Sequence, residues 1–350
     1  MANTMGMTAV AERPTDTVRL SSPRIVTAAT KRSGVRSTAE PLRLAAGHLA
    51  GLPGAVTDMA LSRDGRQLVA AHYSDDSVSV IDLVTLTVSA TVAGIAEPYA
   101  VAVADRAYVN TASREEDSVV AIDLKAGSTL AAKEITVGAR GLAVSPDGAV
   151  IYLARSGDQV ADIAVIDTES GKSKTITVTR TVDDWVDTVR INADGTRLYA
   201  ALNSDSGGSL VVIDVQARRV LHTVALNGSI GDIAVDRDNR RILVTGWDDE
   251  LGGVVRVVDG DAGRVIDTIA VDGLPVQVIV SGGSAYLVDG SEVVVIDTAT
   301  ATISDRIDAG SPVSCIAVSP DGTRLYVADY DGAITARERS KAGRELRAAS

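Results

Sequence analysis

The sequence predicts an all-β protein, a seven-bladed β-propeller of four-stranded antiparallel blades, and three observations carry that expectation. First, a hairpin signal recurs at Asp64-Gly65, Asp147-Gly148, Asp194-Gly195 and Asp321-Gly322. Asp supplies an acceptor for its own turn, and Gly is free to adopt positive φ between two apolar runs. Second, a β-branched run ending in aspartate follows each hairpin, at Asp82, Asp123, Asp167, Asp214, Asp259 and Asp297, with spacings of 41, 44, 47, 45 and 38 residues. Third, each such run leads through a turn into another β-rich segment, for example residues 264–271. Four short strands per period of ~40–45 residues are the signature of propeller blades. One hairpin cannot bury its own apolar face in water, so the copies must stack.

The fullest copy is residues 311–332. Val313, Ile316 and Val318 load its first strand, Pro320-Asp321-Gly322 forms the turn, and Leu325, Tyr326 and Val327 load its second strand. With the strands of a unit named a to d, the blades are expected at residues 56–94, 98–138, 139–178, 186–228, 230–273 and 275–310, with a seventh from residue 312. The seventh has strands a and b and a weak c strand, and its charged remainder offers no d strand. The alternating stretch 41–49 is expected to supply that outer strand from the N-terminal side, because an unfinished blade exposes an edge.

The segments IAVSPDGTRLYVAD (316–329), LAVSPDGAVIYLAR (142–155) and VVVIDTAT (293–300) resemble the YVTN-repeat β-propeller family, whose lactonase-like and surface-layer-like members share this repeat. The resemblance runs over about residues 41 to 340. It implies the architecture and leaves function open, since propellers of this kind serve as surface proteins, lactone hydrolases, lyases and binding modules.

Composition agrees with one large β domain. Apolar residues make up 45% of the chain in short runs, none near the ~18 residues a membrane span needs. Phe is absent, so blade packing relies on Val, Ile, Leu and Ala. Residues 1–40 carry eleven Ser or Thr and six basic against three acidic residues. They read as a disordered, weakly basic tail, or as a docking arm for an acidic surface. Residues 41–340 form the propeller and 341–350 a charged tail. The net charge is −12, which disfavours nucleic acid as a partner. No apolar stretch of signal type follows Met1, so a soluble, cytoplasmic protein is expected. The single cysteine, Cys315, rules out an internal disulfide, a haem-attachment motif and a zinc cluster. It reads as an inert core thiol.

Functional candidates emerge once the repeat is subtracted. The aspartates ending the c strands recur in six blades and read as acceptors for the c–d turn. Tyr108, Tyr152, Tyr199, Tyr286 and Tyr326 share one strand-b position and read as packing residues. What remains gathers on the face carrying the b–c and d–a loops: Trp185 and Trp247, the non-repeat tyrosines Tyr73, Tyr99 and Tyr330, and acids including Glu115, Glu116, Asp183, Asp187, Asp248 and Asp249. Arg140 and Arg155 lie beside this set, and Arg190 stands where most copies have Ala. Acid-rich loops also serve solubility, but gathered aromatics point to recognition. Trp185 and Trp247 are expected to flank a groove for a cationic or polyhydroxylated partner.

Two functional readings follow. One is a binding module that recognises a small ligand or a protein on this face, with Tyr73, Tyr99, Arg140, Arg155, Asp183, Trp185, Asp187, Trp247, Asp248, Asp249 and Tyr330 as contacts. The other is a lactonase-type hydrolase or lyase at the channel mouth, with His72, Arg140 and Arg155 as acid–base and oxyanion groups. No cofactor is expected, although Asp205, Asp329 and Asp331 place oxygen ligands at alternating loop positions in an incomplete calcium pattern.

Overall fold

The computed structural model describes residues 47–49, 52–112, 117–135, 138–157, 160–236 and 240–338. The expected tails, 1–40 and 341–350, lie outside these residues, as do Glu115, Glu116 and the first part of the 41–49 segment. The described chain forms seven antiparallel sheets of four strands each, the architecture of a seven-bladed propeller.

Six sheets are built from consecutive strands. Their a strands are Asp58–Leu61, Pro98–Val103, Ala139–Val144, Trp185–Ile191, Ile230–Val235 and Gln277–Ser281. The seventh sheet joins Val313–Val318, Arg324–Asp329 and Ile334–Glu338 to Gly47–Leu49. Leu49 pairs with Ile334 and His48 with Thr335. Each a strand lies at a sheet edge, and successive a strands touch one another, with that of blade one also touching that of blade seven. They therefore ring the axis.

Burial follows from stacking. The b strand of blade one buries Leu68, Val69, Ala70 and Ala71 without a break, because blades cover both of its faces. Its d strand, Thr87–Ala93, stays mostly exposed and polar at the rim. The core consists of apolar clusters, one at each blade interface. One joins Leu49, Leu68 and Ile81 to Tyr326 and Ile334 across blades seven and one; another joins Tyr152, Ile163 and Ile176 to Val186 and Leu198 across blades three and four. The repeated tyrosines Tyr108, Tyr152, Tyr199, Tyr286 and Tyr326 are all buried.

The repeated acids serve the turns. Asp82 accepts the N–H groups of Val84 and Thr85 at 2.8 and 2.9 Å, and Asp123, Asp259 and Asp297 each accept two N–H groups in the same way. In the a–b turn, Asp321 accepts the Ser319 hydroxyl and the Thr323 N–H, which hold its carboxyl down at about 2. Gly322 beside it has φ +69, a conformation that suits glycine. These carboxylates are structural.

Leu49 belongs to the cluster between blades seven and one, so Leu49→Ala is expected to destabilise the protein by about 2–4 kcal/mol. Denaturant unfolding measures this. An unchanged midpoint would show that the Gly47–Leu49 strand contributes nothing to holding the ring closed.

Candidate functional site at the inner mouth

The a strands are not regular. The ladder to strand b shifts between Pro98 and Ala100, between Ala139 and Leu142, between Val186 and Thr188, between Ile230 and Ile233, and between Val313 and Cys315. A bulge leaves a residue out of the pairing and re-aims its side chain. In blades two, three and four the residues at these bulges include Tyr99, Arg140 and Asp187. The site therefore begins as a backbone irregularity repeated around the ring.

Gly141 follows Arg140, and a Cβ there would lie 2.7 Å from the Asp187 carbonyl oxygen and 2.8 Å from Thr188 Cα. Glycine thus lets the inner strands of blades three and four approach closely. Across that approach Arg140 Nη1 lies 3.5 Å from Asp187 Oδ1. Asp187 Oδ2 accepts the Trp185 indole N–H at 2.7 Å and the Asn203 amide at 3.0 Å. Asn203 in turn accepts the Ile230 N–H and donates to the Ile230 carbonyl on blade five. Trp185, Asp187 and Asn203 are one hydrogen-bonded unit fixed from behind, with Arg140 ion-paired to its carboxylate.

A second polar group lies on the same inner strands. Asp58 Oδ2 accepts the Val101 N–H of blade two at 2.8 Å. Asp232 accepts the Val278 N–H of blade six at 3.1 Å and pairs with Arg190 at 2.7 Å. Burial raises both carboxyls, that of Asp58 to about 6, against the opposing field of Arg190. Asp58 is half-buried. Asp232 is only 4% exposed. Burial also raises the Tyr99 phenol, opposed by Arg140 and reinforced by Asp187 and Asp58. Tyr99 thus shares one electrostatic environment with these three residues.

The other sequence candidates sit elsewhere. His72 is fully buried, with Nδ1 3.0 Å from the Gly54 carbonyl and Nε2 2.9 Å from Ser79 Oγ, and burial lowers its pKa. Arg155 pairs in bidentate fashion with Asp162 of its own blade at 2.8 and 3.0 Å. His72 thus lies in blade one, whereas Arg140 and Arg155 lie on paired strands of blade three, with Arg155 opposite Ala139. Asp248 accepts two N–H groups of its own loop and pairs with the buried Arg256 at 2.7 Å. Trp247 is 42% exposed, its ring beside Gly252, while Trp185 is half-buried on Asp187. Asp183, Asp249 and Tyr330 are exposed, and Tyr73 is half-buried. Asp329 accepts the Asp331 and Ala333 N–H groups and the Ser311 hydroxyl. Asp205 and Asp331 are exposed, and Asn203, two residues before Asp205, is committed to Ile230 and Asp187.

Sequence reasoning missed Asp58 and Asp232. The available signal was their column: the third inner-strand position reads Asp58, Ala100, Gly141, Thr188, Asp232, Gln277 and Cys315, with two charges in otherwise apolar runs.

Fold and inner ring together define a seven-bladed β-propeller with a polar, charge-bearing mouth. The chain is 33% identical over 320 residues, 81% of either chain, to the seven-bladed beta-propeller protein Rv1057 of Mycobacterium tuberculosis. It belongs to that family of seven-bladed β-propeller proteins. The WD40 model (WD domain, G-beta repeat) matches residues 40–82 and 303–335. In fold the chain is similar to hydrazine synthase of Kuenenia stuttgartiensis, with a TM-score of 0.73 and 23% identity over 83% of this chain and 97% of that one. At that identity the likeness is one of fold. No helix among the described residues is long and apolar enough to cross a membrane.

The raised Asp58 carboxyl has a consequence for stability. A carboxyl that binds its proton more tightly when folded makes the native state lose stability as pH rises from the unfolded pKa near 4 through about 6. Asp58→Asn retains an acceptor for Val101 and carries no charge. It is expected to melt above the parent protein at pH 8 and level with it at pH 4, as read by scanning calorimetry. A variant that melts lower at pH 8 would show that the ionised carboxylate stabilises the ring.

Proposed function

We propose that the protein is a binding module that recognises a small ligand or a protein partner on its b–c and d–a loop face, centred on the inner mouth. The observation that carries this reading is the distribution of exposed apolar surface. Among the described residues, the large exposed apolar side chains are Tyr99, Val182, Trp247, Leu251, Leu274, Val276 and Tyr330 on this face, with Val84, Leu130 and Ile266 elsewhere. Single exposed apolar residues need no explanation, but a concentration on one face marks an interaction surface. Leu251 follows Trp247 in one loop of blade five, and Leu274 and Val276 enter blade six beside it, where a Cβ on Gly253 would lie 2.9 Å from Pro275 Cδ.

The face is also acidic, with Asp183, Asp205, Asp249, Glu250 and Asp331 exposed on it. Aromatic faces with carboxylates around them suit a cationic or polyhydroxylated partner. The YVTN-type repeat fits this reading, as the scaffold that presents the loops.

A thermal-shift screen of small amines, sugars and short peptides tests the proposal. Ligands that raise the melting temperature of the parent protein are expected to lose that effect in Tyr99→Ala or Trp247→Ala, with the unliganded variants melting within a few degrees of the parent. Arg106→Ala, in the polar cavity of the opposite face lined also by Asp105, Asp147 and Glu169, is expected to leave the shift intact. Loss of the shift in Arg106→Ala alone would place binding on that other face and overturn the proposal.

A further inference from the structure

We infer that the inner mouth takes a primary ammonium group, seated on the Asp58 carboxylate and against the ring of Tyr99. The inference rests on the loop face being the binding surface, and it names the chemistry recognised at its centre. Asp58 on blade one and Tyr99 on blade two are held in register by the Val101 N–H bond at 2.8 Å, which comes from the residue two places beyond Tyr99 in the same strand.

The argument is one of charge pairing. Arg190 is engaged by Asp232 at 2.7 Å and Arg140 by Asp187 at 3.5 Å. Asp58 accepts only backbone N–H groups, from Met59 at 2.9 Å and Val101 at 2.8 Å. Among the described residues no side-chain cation stands within ion-pair distance of it. A carboxylate in low-dielectric surroundings without a counter-charge is costly, and a ligand cation removes that cost. An ammonium group brings three N–H donors for the carboxylate lone pairs that the backbone leaves open, and an aromatic face beside it adds cation–π attraction. Tyr99, 39% exposed, offers that face where the ligand body meets solvent.

The titratable groups within electrostatic reach of Asp58 are Arg190 on blade four, Asp232 on blade five, Cys315 on blade seven and Tyr99 on blade two. Without a ligand, burial holds Asp58 largely protonated below pH about 6. Binding of a cation therefore competes with that proton, and apparent affinity falls by the fraction of sites ionised.

Titration calorimetry of the full chain with benzylamine, and with benzyl alcohol as its uncharged counterpart, tests the inference. The expected results are saturable binding of the amine at pH 7.5, affinity about tenfold lower at pH 5, and at least tenfold weaker binding of the alcohol. Asp58→Asn should weaken amine binding at least tenfold while melting no lower than the parent, and Tyr99→Leu should weaken it several-fold while melting near the parent. Absence of saturable binding, equal binding of the alcohol, undiminished binding to Asp58→Asn, or calcium binding through Asp58 in place of the amine would each overturn it. If the amine fails while screening ligands still depend on Tyr99 or Trp247, the ammonium assignment falls alone. If those ligands depend on Arg106 instead, both readings fall.

Discussion

An inner strand of a propeller pairs with only one neighbour in its sheet, so one row of its N–H and C=O groups faces the ring rather than another strand. Leaving such groups buried and unpaired is expensive. This protein meets the constraint with side chains from adjoining blades. Asp58 accepts the Val101 N–H, Asp232 that of Val278, and Gln277 that of Ile316 at 2.7 Å. Asp117 accepts the Gly138 and Ala139 N–H groups, and Asn110 and Asn203 reach across to Ala139 and Ile230. Each bond satisfies a backbone group and ties one blade to the next. The apolar clusters at the interfaces supply the bulk of the cohesion, but they are non-directional. The polar staples fix where one blade sits against another.

That solution has a chemical by-product. A staple needs an acceptor at the inner strand, and where the acceptor is a carboxylate a titratable group is left inside the ring. Gln277 performs the same task without charge. Asp58 and Asp232 thus do more than the architecture demands, and Arg190 forms an ion pair with only one of them. The bulges add to this, because each lets a strand-a side chain leave the blade-packing register. Structural economy at the ring and chemical opportunity at its mouth share the same residues.

Much of the fold was legible in the sequence because its signals are local. An Asp-Gly turn between apolar runs and an aspartate closing a β-branched run each report on a few neighbouring residues, and repetition removes chance. Subtracting the repeat also exposed Tyr99, Arg140, Trp185 and Asp187, which the structure assembles on the inner strands of blades two to four. What stayed hidden was relational. Arg190 is visible as a departure from Ala, but its partner lies 42 residues away on the next blade. Asp58 is one acid in an otherwise apolar strand until its bond to Val101 on the next blade is known. Asp248 and Trp247 are adjacent in sequence, yet one carboxylate is tied to Arg256 while the indole beside it lies open to solvent. Side-chain direction at a strand end depends on partners that no spacing rule encodes.

The sheet of blade seven pairs residue 49 with residue 334, nearly the full length of the propeller apart in the chain. Every other blade is made of contiguous sequence and can form as soon as its own segment is available. This one joins the earliest strand to the last ones, so its pairing carries the highest loop-closure entropy in the molecule. Contacts of such separation slow folding. During synthesis the Gly47–Leu49 strand must wait, unpaired, while six blades emerge ahead of its partner. Until that pairing forms, the outer edge of blade seven is open, and an open edge is exposed to pairing with another chain.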